Sequence, residues 1–244
     1  MKTKNIILTV FSLTGLTLTS CSRDGICTKG DGNKETVTVR LDDFNALDLG
    51  ESGVVTITQG DVQNVTVTGD GNIIDLLETD VRNGVWTVEL ENGCYRDYDL
   101  KIDITIPDLH SIFLSGSGKI YVNAFDKQPN LDISISGSGK VELERFQDTR
   151  NLDVRISGSG DVIGYDNFDM LRNLDVRISG SGNYDAYAIE TENADIKISG
   201  SGDCYTTVNN ALDVNISGSG RVRYKGSPTV KKSISGSGSV RKTD

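Results

Sequence analysis

From residue 130 onward the chain alternates apolar and polar positions. Leu131, Ile133 and Ile135 are separated by single polar residues. So are Leu152, Val154 and Ile156, then Leu174, Val176 and Ile178, then Leu212, Val214 and Ile216, while Ala194, Ile196 and Ile198 form a smaller version. A strict period of two predicts strands with one buried face and excludes helices. Each triplet runs into Ser-Gly-Ser-Gly, a motif that begins seven times, at Ser115, Ser136, Ser157, Ser179, Ser199, Ser217 and Ser235. Two positions after each copy an inward residue returns: Ile120, Val141, Val162, Tyr184, Cys204, Val222 and Val240. The copies are spaced by 21, 21, 22, 20, 18 and 18 residues. A fixed period near 20 marks a solenoid, whose single rung is too small to bury its own apolar face. The chain is therefore expected to be all-β, a parallel β-solenoid of strand, glycine corner, short strand and return turn. The usual crossover preference makes it right-handed.

Two physical demands call for glycine at such a corner. A sharp turn can need positive φ, which glycine adopts without a Cβ clash. Corners stacked at the ~4.8 Å strand spacing also bring backbones too close for side chains. Ladders of serine hydroxyls are expected along the same edge. A flexible Gly/Ser linker does not fit, because linkers are not framed by apolar alternation at constant period. A phosphate-binding loop does not fit either, since Gly137-Ser138-Gly139-Lys140 lacks the full spacing and the helix that should follow.

Before the perfect repeats the pattern is irregular. Strands are expected over residues 36–41, 54–58, 65–67, 84–90 and 100–106, with Pro107 stopping the last. Glu51-Ser52-Gly53-Val54 and Thr68-Gly69-Asp70-Gly71 read as altered corners. Ile73 to Leu77 is the one plausible helix, with Asn72 as its cap. These elements give a single domain over residues 36–244, irregular over 36–106 and regular from 107 onward.

The first 20 residues read as an export signal: Lys2 and Lys4 precede an apolar stretch from Ile6 to Leu18 that is too short to span a bilayer. Leu18-Thr19-Ser20-Cys21 resembles the lipobox of bacterial lipoproteins, which implies lipidation of Cys21 and a membrane partner through that anchor. Residues 21–35 read as the lipidated cysteine and a flexible tether. Ser22 after the cysteine favours the outer membrane of a Gram-negative cell envelope.

Phe44 and Leu47 before Leu49, Val55-Thr56-Ile57-Thr58-Gln59-Gly60, Ile104-Thr105-Ile106-Pro107-Asp108-Leu109 and the repeated Ile-Ser-Gly-Ser-Gly together carry a further resemblance. The stretch from Thr36 to the C-terminus resembles the head GIN domains of the auto-transporter adhesin family, found in many bacterial lipoproteins. That resemblance implies a β-solenoid surface protein, adhesin-like and without established enzymatic activity. It brings no functional residues with it.

The formal charge of −10 becomes −12 once Lys2 and Lys4 leave with the signal peptide. Nucleic acid and anionic lipid are poor partners for such a field. Among four cysteines, Cys21 is assigned to the lipid, Cys204 to an inward column and Cys94 to a turn. Their number does not say which pair. No motif calls for a cofactor or a metal. His110 is the single histidine, placed where the first inward triplet would begin, so it reads as a packed end residue rather than a base. A polysaccharide-active β-helix enzyme is disfavoured because steps of 18 to 22 residues leave no room for the loops that build a cleft.

The outward positions supply the one candidate surface. Asp132, Asp153, Asp175, Asp195 and Asp213 occupy one position in five successive rungs, and Arg155, Arg177 and Lys197 lie two residues further on. Stacked carboxylates repel by roughly 1 kcal/mol per pair at water-like dielectric, and the basic column offsets part of this. One aspartate per rung falls short of the six to eight oxygens that calcium takes. The column reads first as a solvated charged face and second as a strip for a cation or sugar. The function expected is non-catalytic: an envelope surface module binding a glycan or an extracellular protein, with an enzyme or a structural spacer as alternatives.

Overall fold

The computed structural model describes residues 27–244, so the signal sequence and Cys21 lie outside the described residues. Two parallel sheets face each other across one core. The leading sheet, before the corners, stacks Val85–Val88, Ala46–Leu49, Ser111–Leu114, Asn130–Ile135, Asn151–Ile156, Asn173–Ile178, the second halves of the long strands Asn183–Gly200 and Asp203–Gly218, and Thr229–Gly236. The trailing sheet, after the corners, stacks Leu100–Ile106, Val54–Gln59, Lys119–Val122, Lys140–Leu143, Asp161–Gly164, the first halves of the same long strands, Arg221–Lys225 and Ser239–Lys242. This is the expected parallel β-solenoid.

Stack order departs from chain order at the N-terminal end. The rung built from Ala46–Leu49 and Val54–Gln59 sits between the rung of residues 85–106 and the first perfect repeat. The chain makes this rung early, then runs back through Asn64–Asp70, which pairs antiparallel with both Leu100–Ile106 and Lys34–Val39. These two antiparallel strands close the trailing sheet, and Val81–Arg82 closes the leading one.

The inward triplets are buried as the alternation requires: Leu152, Val154 and Ile156 are at most 1% exposed. The return turns contribute a third inward row. Phe125, Phe146 and Phe168 stack with ring centroids 5.6 and 4.7 Å apart. In the next two rungs Ile189 and Val208 fill the core on this side, and the repeat step falls from 22 to 20 to 18 residues. A smaller side chain goes with a shorter return. Gly164 belongs to the same adjustment, because a Cβ there would lie 2.8 Å from Ile189 Cγ1.

The seven glycine corners line up along one edge, each hydrogen-bonded to the corner below. Ser138, Ser159, Ser181, Ser201 and Ser219 donate backbone N–H groups to Gly116, Gly137, Gly158, Gly180 and Gly200 respectively. Close approach is the general reason for glycine. A Cβ on Gly137, Gly158, Gly180 or Gly200 would fall well under 3.0 Å from the carbonyl oxygen of the glycine beneath. Positive φ applies to the first glycine of the last three corners, at 150°, 135° and 121° for Gly200, Gly218 and Gly236.

Several expectations need correction in the N-terminal part. The corner expected at Glu51-Ser52-Gly53 is present, with Ser52 Oγ 2.9 Å from Ser117 Oγ. Thr68-Gly69-Asp70-Gly71 is not a corner, being the end of an antiparallel strand. The helix is a single turn, Gly71–Ile74, without a side-chain cap. Asn72 instead accepts from the Asp31 N–H at 3.0 Å and donates to the Lys29 carbonyl at 2.9 Å. Residues 27–35, read as the end of a tether, are fastened to the fold. Cys27 is disulfide-bonded to Cys94, Thr28–Lys29 pairs with Tyr95–Arg96, and Asp70, 2% exposed, binds the Gly32 N–H and Lys34 Nζ at 2.9 Å each.

Candidate functional site: the charged flank

The period-two strands that bury the apolar triplets must present their alternate residues outward, and the parallel register turns those positions into rows. Asp132, Asp153, Asp175, Asp195 and Asp213 are direct neighbours on successive strands, and so are Arg155, Arg177 and Lys197. The acidic row ends against Lys231, which is paired with Asp213 in the register. Outside it runs a row that sequence reasoning missed. Asn151 donates to Asn130 at 2.7 Å, Asn173 to Asn151 at 2.9 Å, and Asn210 to Asn193 at 2.8 Å. Identical amides one strand apart form such ladders readily. Of the hydroxyl ladder expected from the corner serines, the Ser52–Ser117 pair forms, and the later corners are joined by backbone bonds.

The two charged rows neutralise each other within three successive strands. Arg155 Nη2 lies 2.9 Å from Asp153 Oδ2, Arg177 Nη2 2.6 Å from Asp175 Oδ2, and Lys197 Nζ 3.0 Å from Asp195 Oδ1. Lys231 serves Asp213 at 3.0 Å from the next rung, and Arg177 also reaches Asp153 at 3.8 Å. These pairs are part-exposed, so each is worth about 0–1 kcal/mol.

The second carboxylate oxygens of Asp153 and Asp175 are covered by their neighbours and have no hydrogen-bond partner among the described residues. Desolvation pushes the Asp175 carboxyl above its ordinary pKa. Arg177 opposes the rise, and Asp153 and Asp195 add to it. With Leu152, Leu174 and the asparagine row, these aspartates line an open groove of about 380 Å³. It offers alternating acceptors and donors at one rung spacing. Among the described residues, no group of three or more His, Cys, Asp or Glu side chains is arranged to hold a metal ion.

The remaining candidates separate from this flank. His110 is exposed, and Leu109 takes the buried place expected for it. Only its backbone is engaged, donating to Asn45 O at 2.7 Å and accepting from Asp132. Cys204 is a fully buried free thiol whose pKa burial drives upward. The pairing left open for Cys94 falls to Cys27.

Residues 43–228 match the model of the family described as "putative auto-transporter adhesin, head GIN domain". The chain belongs to this family. Solved structures share the fold of this GIN domain. A "putative adhesin" from Bacteroides fragilis superposes with a TM-score of 0.73 at 22% identity, covering 88% of this chain and 100% of that one. A "putative lipid binding protein" from Parabacteroides distasonis gives 0.68 at 25% identity, covering 89% and 99%. A "putative adhesin" from Parabacteroides merdae gives 0.68 at 20%, again covering 89% and 99%. None of the curated proteins compared with the chain matches it.

Proposed function

We propose that this GIN domain is a non-catalytic binding module of the cell envelope, lipid-anchored at Cys21 and presented at the outer membrane as an adhesin-like surface. The observation that carries the reading is the unbroken flank. From Asn130 to Gly218 the strands hold register in every rung of the leading sheet, and among the described residues no inserted loop folds over them to enclose a substrate. Such a surface suits recognition of an extended ligand, whereas a polysaccharide-active enzyme needs a cleft. The adhesin family supports the same reading. The lipid-binding name of one neighbour favours no interior site here, because the inward rows are occupied by packed side chains.

An array of glycans and matrix proteins probed with the mature protein tests this. Saturable binding without turnover is the expected result. Turnover of an arrayed polysaccharide would move the assignment to an enzyme, and no binding to any probe would leave a spacer. The anchor is tested separately: Cys21→Ala should move the protein from the membrane to the soluble fraction, and an intact mass showing unmodified Cys21 would refute lipidation.

A further inference from the structure

The two flanks differ in chemistry. From Asn130 onward the outer face of the leading sheet carries amides, charges and hydroxyls, with Ala211 in the asparagine row and no aromatic ring. The outer face of the trailing sheet collects tyrosines. Register places Tyr121, Glu142, Ile163, Asp185, Tyr205 and Arg223 in one row across six successive rungs. Two residues further along their strands stand Tyr165, 59% exposed, and Tyr187, half-buried. The Tyr187 and Tyr205 rings lie 5.6 Å apart. Tyr205 Oη donates to Asp203 Oδ2 at 3.2 Å, and the nearby Glu142 carboxylate raises the Tyr165 phenol above its ordinary pKa. Lys225 Nζ sits 5.1 Å from the centre of the Tyr187 ring and closes the strip at its C-terminal end.

We propose that this tyrosine flank binds a neutral oligosaccharide laid along the stack, with Tyr165 and Tyr187 under sugar rings and Glu142 and Asp185 accepting hydroxyl hydrogen bonds. The inference rests on the reading of the protein as a binding module and names the ligand class and the flank. Exposed tyrosines offer a flat apolar face with a polar tip at small entropic cost, and the C–H face of a pyranose matches such a ring.

The interleaved carboxylates decide between partners. The centre of a protein–protein interface is depleted of charge. Docking an apolar protein surface here would desolvate Glu142 and Asp185, which is costly. An anionic glycan would meet the same carboxylates on a chain of net charge −10. Hydroxyl groups are what these acceptors suit. Successive rungs are ~4.8 Å apart, comparable with the advance of one pyranose unit along an extended glycan.

The test is calorimetric titration of the mature protein with cellohexaose, xylohexaose, mannohexaose and the anionic hexamer of galacturonate. At least one neutral hexaose should bind and the galacturonate should not. Tyr165→Ala with Tyr187→Ala should weaken binding about tenfold or more, while Tyr165→Phe with Tyr187→Phe should change it less than threefold. If the alanine pair fails to fold, Glu142→Gln, at a part-exposed outward position, should still weaken binding severalfold.

Failure of every neutral hexaose, preference for galacturonate, or loss of binding in Arg155→Ala with Arg177→Ala but not in the tyrosine variants would each overturn the inference. So would a matrix protein captured through these tyrosines. In each of those cases a ligand of another class bound on the array leaves the binding-module reading standing. An array without any ligand removes both.

Discussion

The repeats and the N-terminal cap hold their strands by different means. In the repeats each rung meets a near copy of itself, so one solution is reused: glycine on glycine at the corner, Phe125 on Phe146 on Phe168 at the return, asparagine on asparagine outside. The cap has no copy to lean on and uses contacts that occur once. Cys27 is tied to Cys94, Phe44 packs on Trp86 with centroids 5.6 Å apart, and Tyr98 donates to Glu51 at 2.9 Å, its phenol pKa pushed up to about 12 by burial and by that carboxylate. Stacked repeats propagate, but their ends must be closed by something non-periodic.

The comparison is broken most severely by a charge in the repeated core. Val154 is 0% exposed, and Val154→Asp buries a carboxylate with no partner, at an expected cost of about 3–5 kcal/mol. Denaturant melts read this directly, and an unchanged midpoint would refute the inward assignment. Next comes the cap. The Cys27–Cys94 bond closes a sequence separation of 67, for which removal costs typically about 2–4 kcal/mol. Cys27→Ala with Cys94→Ala should release residues 28–39 and 64–70 to hydrogen exchange before the repeats. Uniform loss of protection would show that cap and repeats open as one unit. Gly158→Ala should cost about 1–3 kcal/mol by overpacking against the Gly137 carbonyl. The same change at Gly32, which has open space around it, should cost through its φ of 80° alone.

Periodicity also governs what the sequence discloses. Strand faces, the corner, the inward columns and the charged rows were legible because each is stated several times over. Glycine's main role at the corner was legible as well, since close stacking follows from the period itself. The cap was not. Nothing in residues 27–35 signals that Cys27 meets Cys94 or that Asp70 holds Gly32 and Lys34, because these contacts join segments far apart and occur once. The single turn at Gly71–Ile74 carries too few residues for a helical period. The placement of the 46–59 rung between later ones is invisible to a reading in chain order. The tyrosine flank was missed for another reason. Tyr121, Tyr165, Tyr187 and Tyr205 occupy two outward columns and do not repeat, so only the register brings them together.

Two aspartates carry the comparison down to single protons. Asp70 in the cap has its pKa lowered, first by Lys34, with help from the Gly32 and Asp99 backbone and against desolvation. Its stabilising effect is present above the unfolded value of ~3.9 and is lost as pH falls through the lower folded value. Asp175 in the repeats has its pKa raised by desolvation. Its charge therefore opposes folding at neutral pH, and that penalty is relieved as pH falls through the raised folded value. Falling pH should therefore ease the flank first and loosen the cap only below about 3.9. Hydrogen exchange at residues 28–39 followed from pH 6 to pH 3 checks the second half, and retention of cap protection throughout would contradict it.

The smallest expected effect belongs to the flank itself. Asp153→Asn with Asp175→Asn removes three ion pairs worth about 0–1 kcal/mol each and, with them, like-charge repulsion along the row of roughly 1 kcal/mol per pair. The terms offset, so at pH 7 the melting temperature should stay level or rise slightly. Whatever rise appears should shrink as pH falls through the folded pKa of Asp175, where the wild-type carboxyl becomes neutral too. Millimolar calcium should leave both proteins unchanged, because Arg155, Arg177 and Lys197 already occupy the positions a cation would need. A bound cation would behave otherwise: at a hundred times its dissociation constant it adds ~2.7 kcal/mol, a shift visible in any thermal melt. A calcium-dependent rise in the wild type that disappears in the double variant would make the aspartate row a cation site, and the flank would then differ from the cap in binding as well as in folding.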